Sequence, residues 1–371
     1  MPDLSIQLQL MIGANVPLPA PYEVMSAVVQ VEVTNKDRER DGFQLALTIG
    51  KESPLDYGLL RSGLFNPPNR IIISVIINAL PQVLIDGIIT NQQMTPSNQP
   101  GESRLTITGE DISLKLDLKE VSDTHPNQPD SVIVNKILMN YPTLGLIPKV
   151  TPTTDVPLET DRVPSQQCTD LEYIRELAQN NGFVFYIEPT LPTLNTAYWG
   201  MENRLGTPQP ALSMNMGPDT NVDSPINFTY NALGPASPQV TIVEPNTRLP
   251  ITIPVPSGLR PPLARQPISS LRTTVNRSSA NLNPIQAGLR ALATASETSS
   301  DAVVATGEID ALRYGRALRS RRLVGVRGVG DSFNGFYYVK EVRHSIRVGQ
   351  YTQSFTLTRE GVGALSPVVV P

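Results

Sequence analysis

The sequence predicts a mainly β protein with an α+β insert, built from two antiparallel β-barrels and a small mixed α/β domain. Three observations support this prediction. Residues 351–358 alternate strictly between larger, mostly apolar side chains and hydroxyl side chains, which is the period of a half-buried strand. Residues 169–182 carry a helix start and a helix end and are followed at once by a strand pattern. The 35 prolines in 371 residues are roughly twice the usual share of about 5%, which favours strands and ordered loops.

The C-terminal stretch 306–361 predicts a helix, a short strand, a loop and a hairpin. In the first hairpin strand, one predicted face comprises Phe336, Tyr338, Val342, His344 and Ile346. A two-residue turn at Gly349-Gln350 would place His344 opposite Phe355 and Val342 opposite Leu357. The apolar faces of the two strands would then coincide, as in a barrel wall.

Residues 22–120 predict the first barrel. Apolar residues alternate over 25–33 and again over 43–49, and the nearly continuous β-branched run 70–78 is typical of a strand covered on both faces. Further strands are predicted at 81–90 and around 105–107. Asp111 is placed to cap a short helix that carries Leu114 and Leu118.

Residues 121–190 predict the mixed domain. Asp130 is placed to cap a helix through Tyr141, although Val132, Ile133 and Val134 leave a strand open as an alternative. Thr169-Asp170-Leu171-Glu172 is a capping box, and the helix that it begins should end at Asn181-Gly182. Residues 183–187 then predict a strand.

Residues 191–319 are less regular. Strands are possible at 226–230 and 239–243, the proline-rich segment 245–268 predicts an extended excursion over a surface, and 269–305 predicts a mobile loop.

The sequence offers little catalytic chemistry. The only histidines, His125 and His344, are interpreted as a turn residue and a barrel-facing residue, and the single cysteine, Cys168, excludes an intrachain disulfide. We therefore predict no catalytic, cofactor-binding or metal-binding residues and no enzymatic activity. The N-terminus lacks the basic start of a secretory signal, and the longest apolar run, 71–77, is too short to span a bilayer.

One charge feature stands out. Residues 311–360 contain ten Lys and Arg against three acids, in a chain whose net charge is −4. The alternatives are a solvated helix face, a surface for an acidic neighbour, and a nucleic-acid surface. The last is disfavoured because the aromatic residues here alternate into a core. Interface candidates are the helix face near Arg313 and Arg316 and the hairpin edges near Arg343 and Arg359.

Several stretches carry a resemblance to a known family. TGEIDALRYGRALRSRRLVGVRGVG, FNGFYYVKEVRHSI and GQYTQSFTLTREG resemble the C-terminal part of baseplate hub proteins of contractile phage tails and extracellular contractile injection systems. LIDGIITNQQ with SRLTITGEDISLKLDLKE resembles the end of the first barrel of these proteins. CTDLEYIRELAQNNGFVFYIEP resembles the helix-strand segment in the hub half of VgrG-type, late-control-D-like proteins.

This resemblance implies a structural role and a domain plan. The barrels would be tube-protein-like, and a homotrimer would join a hexameric inner tube to a trimeric spike, together with other baseplate components. Because the sequence stops at Pro371, the spike is expected to be a separate polypeptide. Assembly is expected in the cytoplasm, followed by incorporation into a released or membrane-anchored phage tail-like particle. The predicted units are a first barrel (1–120), the mixed domain (121–190), a discontinuous second barrel (191–245 plus 320–362), an insertion ending in a helix (246–319) and a tail (363–371).

Two other functions remain open from the sequence. One is a β-rich ligand-binding or hydrolytic module with Glu110, Asp111 or His344 at its site. The other is the inner tube subunit itself, which is disfavoured because a tube subunit needs only one barrel.

Overall fold

The computed structural model describes most of the chain. The described residues are 6–14, 16–50, 57–99, 101–160, 163–222, 224–243, 250–254, 260–276 and 284–365. The tail prediction for 363–371 therefore lies largely outside the described residues. None of the helices within these ranges combines the length and the apolar character needed to cross a bilayer.

Strands dominate the described ranges. The strands are β1 (Ile6–Gly13), β2 (Leu18–Pro19), β3 (Val28–Lys36), β4 (Gly42–Ile49), β5 (Arg70–Ile77), β6 (Leu80–Thr95), β7 (Ser103–Asp111), β8 (Glu120–Thr124), β9 (Leu146–Val150), β10 (Ser165–Thr169), β11 (Val184–Leu191), β12 (Leu194–Gly200), β13 (Gln209–Ser213), β14 (Asn227–Tyr230), β15 (Ala236–Val243), β16 (Pro250–Pro254), β17 (Ala264–Pro267), β18 (Arg272–Asn276), β19 (Val303–Asp310), β20 (Leu323–Arg327), β21 (Gly335–Arg347), β22 (Gln350–Arg359) and β23 (Gly361–Ala364). The helices are α1 (Tyr22–Ala27), α2 (Gly58–Arg61), α3 (Asp130–Met139), α4 (Asp170–Asn181), α5 (Pro284–Ser300) and α6 (Ala311–Tyr314), with short 3-10 turns at Ile112–Leu116, Pro142–Leu144 and Gly217–Asp219.

Thirteen strands form one sheet. The hydrogen-bonded order is β14-β19-β22-β21-β3-β4-β7-β6-β5-β1-β2, and β20 joins β21 to β13 beside this path. The mainly β fold class is thus confirmed, but within the described residues the sheet does not close into a barrel. The reason is that β21 pairs with β3, so each half of the sheet uses the edge of the other half instead of closing on itself.

The three large hydrophobic cores among the described residues follow one another along the chain, and a smaller cluster contains Leu263, Leu323 and Tyr338. The first packs mainly residues of β1 and β3–β7, the second packs α3 and α4 against β11 and β12, and the third packs β19–β22. We propose these cores as the centres of the first predicted barrel, the mixed domain and the second predicted barrel. The first core also takes in Ala317, Ile346 and Tyr351 from the C-terminal part of the chain, so the two sheet halves share buried surface.

The local signals of the mixed segment are confirmed. The Thr169 hydroxyl accepts from the Glu172 N–H while the Glu172 carboxylate accepts from the Thr169 N–H, and Gly182 ends α4 at φ 70°. Residues 130–139 form a helix rather than the alternative strand, but Asp130 is its first residue and does not cap it. The Asp111 side chain accepts from the Ser113 N–H and caps a short 3-10 helix, as expected, but this helix ends at Leu116 and does not include Leu118.

The register of the C-terminal hairpin differs from the prediction. His344 lies opposite Gln353 and Val342 lies opposite Phe355, because the turn is centred on Val348-Gly349, with Gly349 at φ 76°. A shift by two residues keeps the same side chains on the same face. A bulge between Val339 and Glu341 also moves the apolar face, so Tyr337 and Val339 enter the third core while Phe336 and Tyr338 pack on the other side.

Three secondary-structure predictions were wrong. The helix expected after residue 306 is a single turn, α6, because residues 303–310 form β19 and pair with β22 along their whole length. The segment 269–305, predicted as a mobile loop, holds the 17-residue helix α5. Residues 25–27, which were expected to begin a strand, belong to the short helix α1.

A cross-strand phenylalanine–glycine pair occurs at the same place in each sheet half, and a further pair, Phe336 with Gly325, joins β21 to β20 in the C-terminal half alone. Phe43 on β4 lies opposite Gly109 on β7, and Phe355 on β22 lies opposite Gly307 on β19. Both pairs join the second and third strands counted outward from the β3–β21 junction. A Cβ at Gly109 would lie 2.1 Å from the Ile88 carbonyl oxygen and 2.4 Å from the Phe43 ring, and one at Gly307 would lie 2.7 Å from the Phe355 ring. The aromatic rings therefore cover the space that the glycines leave.

We expect Gly109→Ala and Gly307→Ala each to lower the free energy of unfolding by about 1–3 kcal/mol, the usual cost of overpacking a core. The matched control is Gly50→Ala, since a Cβ there meets nothing within 4 Å; we expect it to stay within about 0.5 kcal/mol. Urea unfolding followed by circular dichroism gives the three values, and equal stability for Gly109→Ala and Gly50→Ala would contradict this packing role.

Candidate functional site: the seam between the sheet halves

The seam is the antiparallel pairing of β3 with β21. It runs from Lys36 opposite Glu341 to Gln30 opposite Arg347. On the solvent side the Arg343 guanidinium contacts the Glu32 carboxylate at 2.5 Å. Residues about 310 positions apart in the chain thus form a single ladder, and the two sheet halves are held as one unit.

A buried ion pair stands beside the seam. Arg321 donates two hydrogen bonds to the Asp41 carboxylate, at 2.7 and 3.1 Å, and both side chains are almost fully buried. The Asp111 carboxylate accepts from the Asp41 N–H at 2.7 Å. Burial raises the pKa of Asp41, the Arg321 guanidinium opposes that rise, and the nearby Asp111 carboxylate adds to it. The pair therefore ties the turn after β3 to the segment before β20 at a large desolvation cost.

A second buried cluster centres on the Glu202 carboxylate. Arg38, Arg204 and Arg260 contact it at 2.9, 3.3 and 2.8 Å. Arg204 also contacts Glu360 at 3.0 Å. Glu202 keeps a lowered pKa despite its burial, because three guanidinium groups surround the carboxylate. This cluster connects the loop after β12 to both sheet halves.

Both histidines lie inside the protein. His344 accepts or donates one hydrogen bond with the Tyr351 hydroxyl at 2.9 Å, and burial, with a smaller contribution from Arg319, lowers its pKa to about 3. His125, expected in a turn, is buried and its ring stacks on Tyr173 at 5.8 Å between centroids. Burial also lowers the pKa of His125.

The four interface candidates occupy different environments. Arg313 and Arg316 are exposed, and Arg343 is exposed beside Glu32. Arg359 is fully buried: its guanidinium donates to the Asn334 and Ser332 carbonyl oxygens and lies 4.3 Å from the centroid of the Tyr337 ring. Arg359 therefore stabilises the loop 332–334 and is not accessible to a partner, while the other three remain candidates.

The side chains proposed for a hydrolytic site do not converge on one another. The Glu110 carboxylate contacts Arg40 at 3.0 Å, whereas Asp111 accepts from the Ser113 and Asp41 amides. His344 contacts Tyr351 at the seam. Among the described residues, no group of three or more His, Cys, Asp or Glu is arranged to hold a metal ion.

A groove that sequence reasoning did not predict opens beside the seam. It has a volume of about 640 Å³, and we call it the arginine groove after its cationic lining residues Lys149, Arg316, Arg319, Arg321 and Arg322. The Arg321 guanidinium lies 4.4 Å from the Tyr186 ring centroid, Tyr186 stacks on Tyr198 at 4.9 Å, and the Lys149 ammonium lies 5.6 Å from the Tyr198 centroid. The close spacing of Arg319, Arg321 and Arg322 in the sequence was the signal from which part of this groove could have been predicted. Lys149 and Tyr186 come from the mixed domain, and Tyr198 lies on β12, which pairs with β9 and β11. The approach of these side chains to the arginines depends on tertiary structure.

We expect Asp41→Asn and Arg321→Met each to lower the free energy of unfolding by about 3–5 kcal/mol, because each leaves a buried charge without its partner. The double variant should lose clearly less than the two single losses combined. Glu39→Gln removes the exposed ion pair with Lys36 and serves as the control, with a change below about 1 kcal/mol. Additive losses in a urea-unfolding double-mutant cycle would show that the pair is not coupled.

The depressed pKa of His344 makes stability depend on pH. The unfolded chain takes up a proton at this residue below its ordinary pKa of 6.5, whereas the folded chain does so only near pH 3. Stability should therefore be fully present above pH 6.5 and fall as pH drops towards 3, with this group contributing a slope of about 1.4 kcal/mol per pH unit. We expect His344→Gln to reduce that slope between pH 4 and 6, measured by urea unfolding. The control Ser345→Ala should keep it, and equal slopes for both variants would contradict the assignment.

The fold is shared with solved tail proteins. The tail protein from Neisseria meningitidis MC58 superposes with a TM-score of 0.65 at 12% identity, covering 96% of this chain and 98% of that chain. The prophage MuSo2 43 kDa tail protein from Shewanella oneidensis gives 0.62 at 11% identity, covering 96% and 99%. The E. coli c3393 protein, described as a component of the type VI secretion system, gives 0.55 at 13% identity, covering 93% and 77%. At these identities the likeness shows the fold alone.

The comparison with family models gives a match over the N-terminal half. No curated protein sequence matches this chain. Residues 6–196, more than half of the 371 residues, match the family model described as "Alg8 N-terminal domain". The matched range includes the first sheet half and the mixed segment with its capped helix α4. On this match, the chain belongs to the Alg8 N-terminal domain family.

Proposed function

We propose that this chain is a structural, non-enzymatic baseplate hub subunit of a contractile injection system. As a homotrimer it would join a hexameric inner tube to a trimeric spike. The observation that carries the proposal is the duplication within the sheet. Each half places a Phe–Gly cross-strand pair between its second and third strands counted from the seam, Phe43 with Gly109 and Phe355 with Gly307.

This duplication fits a change of symmetry. Three copies of a chain with two similar halves supply six similar sheet units, which is the number that a hexameric tube end presents. The chain as a whole would still occur three times in the assembly, which matches the three copies in a trimeric spike. The fold of solved tail proteins agrees with this role.

Both ends of the sheet are open for assembly. The strand order ends at β14 on one side and at β1 and β2 on the other, and β2 covers only Met11 and Ile12 of β1. In the described part of the chain, no strand pairs with the outer edges of β14 or of residues 6–9, whereas the Leu10 carbonyl oxygen accepts from the Ala20 N–H. An open edge is a template for a strand of another chain, so we propose these edges and the exposed Arg313 and Arg343 as contacts between subunits.

The partners follow from this proposal. They are further copies of the chain, an inner tube protein, a separate spike protein and other baseplate components, assembled in the cytoplasm before the particle is completed. Enzymatic activity is not part of the proposal, because Glu110, Asp111 and His344 each serve packing or ion-pair contacts within the fold.

The test is the mass of the purified chain by light scattering, alone and mixed with the products of neighbouring genes. We expect a species near three times 40.4 kDa, formed either by the chain alone or on addition of a spike-like protein. A monomer in every mixture would overturn the hub proposal, and long open filaments of the chain alone would favour an inner tube subunit.

A charge reversal tests the proposed contact surface. Arg313→Glu should weaken the trimer, while Arg104→Glu, which reverses another exposed arginine on β7, should not. A trimer that is unaffected by Arg313→Glu would remove this residue from the interface and leave the oligomer itself in place.

A further inference from the structure

We propose that the arginine groove binds an acidic peptide segment of a partner protein. The inference rests on the contacts of the groove itself and does not depend on the hub proposal.

The first argument is the imbalance of charge. Five cationic side chains line the groove, and Glu188 is the only acidic residue among the lining residues that the structure describes. Glu188 forms an ion pair with Arg322 at 2.7 Å, and Arg321 forms an ion pair with Asp41, which does not line the groove. Within the described residues, Lys149, Arg316 and Arg319 have no carboxylate at ion-pair distance. Three of the five cations are thus left for an incoming anion.

The second argument is the contrast with three other buried arginines, Arg70, Arg204 and Arg260, each of which contacts a carboxylate; the fully buried Arg359 is held by carbonyl oxygens. Arg70 contacts Asp86 at 2.6 Å, and Arg204 and Arg260 contact Glu202. Arg319 is instead held by the Val83 carbonyl oxygen, and burial lowers its pKa. A partly buried guanidinium without a carboxylate is energetically costly in the free protein. Binding of an anion would remove that cost, so the groove is arranged for a charge that the chain itself does not supply.

The shape and chemistry of the groove favour a peptide over a nucleic acid. A volume of about 640 Å³ is within the range of pockets that hold drug-sized ligands, which suits a few residues of extended chain. The two tyrosines are stacked on each other and flanked by cations, so they do not form an open row on which successive bases could stack. Glu188 shows the expected contact, since its carboxylate is bound by a guanidinium of the same groove.

The experiment uses the full chain and fluorescein-labelled hexaglutamate as the probe, with binding read as fluorescence anisotropy at low salt. We expect saturable binding that weakens as the salt concentration rises. Arg316→Gln and Lys149→Gln should each weaken the affinity about tenfold or more, because each removes one charge-assisted contact. Both side chains are free of carboxylate partners in the described structure, so their loss should leave the thermal unfolding midpoint unchanged. Arg104→Gln removes the same charge outside the groove and should leave the affinity unchanged.

Three results would overturn the proposal. The first is an absence of saturable binding. The second is an equal loss of affinity in Arg104→Gln and Arg316→Gln, which would show attraction by overall charge alone. The third is tighter binding of a labelled oligothymidine than of hexaglutamate, which would assign the groove to nucleic acid. Each result is independent of the trimer measured by light scattering, so a failed groove and a failed hub proposal can be told apart.

Discussion

The pairing of β3 with β21 is the constraint on which the rest of the structure depends. Each strand is the inner edge of one sheet half, and each would expose a row of unpaired backbone groups without the other. Joining them merges strands that are distant in sequence into one sheet of thirteen. The pairing also explains why neither half closes on itself among the described residues. The edges that would meet in a closed barrel are already occupied by the opposite half.

The buried charges stand at this junction. A buried ion pair adds little stability compared with apolar side chains of similar volume, but it costs much to separate. Asp41 and Arg321 therefore act chiefly to fix how the turn after β3 meets the segment before β20, and Glu202 with its three arginines fixes the loop after β12 in the same way. The basic surplus of residues 311–360 is accordingly not a single solvated face. Arg321 and Arg359 neutralise or cover internal groups, while Arg316 and Arg319 face the groove.

The sequence predicted correctly the features that depend on neighbouring residues. It was misleading where a strand pairs with residues far away in the chain. The capping box at Thr169, the glycine at the end of α4 and the cap at Asp111 were all predicted, because each depends on hydrogen bonds within a few residues. Residues 306–310 were interpreted as the start of a helix, yet pairing with β22 makes residues 303–310 a strand. Because of a bulge at Lys340, the residues of β21 that precede the bulge turn the opposite face to the core from the one predicted. The arginine groove could not be predicted, since Lys149, Tyr186 and Tyr198 come from strands of another unit.

The Phe–Gly pair and the arginine groove differ in how often they occur in one chain. The Phe–Gly pair occurs in both sheet halves, whereas the arginine groove draws on the mixed segment, which is present once. A trimer of this chain would therefore present six similar sheet units but three grooves. Surfaces built from the sheet halves suit a partner of sixfold symmetry, and a ligand held in the groove suits a partner of threefold symmetry. An acidic segment in the groove would then come from a protein that is also present three times, and the sequence of a candidate spike or baseplate protein can be searched for such a segment.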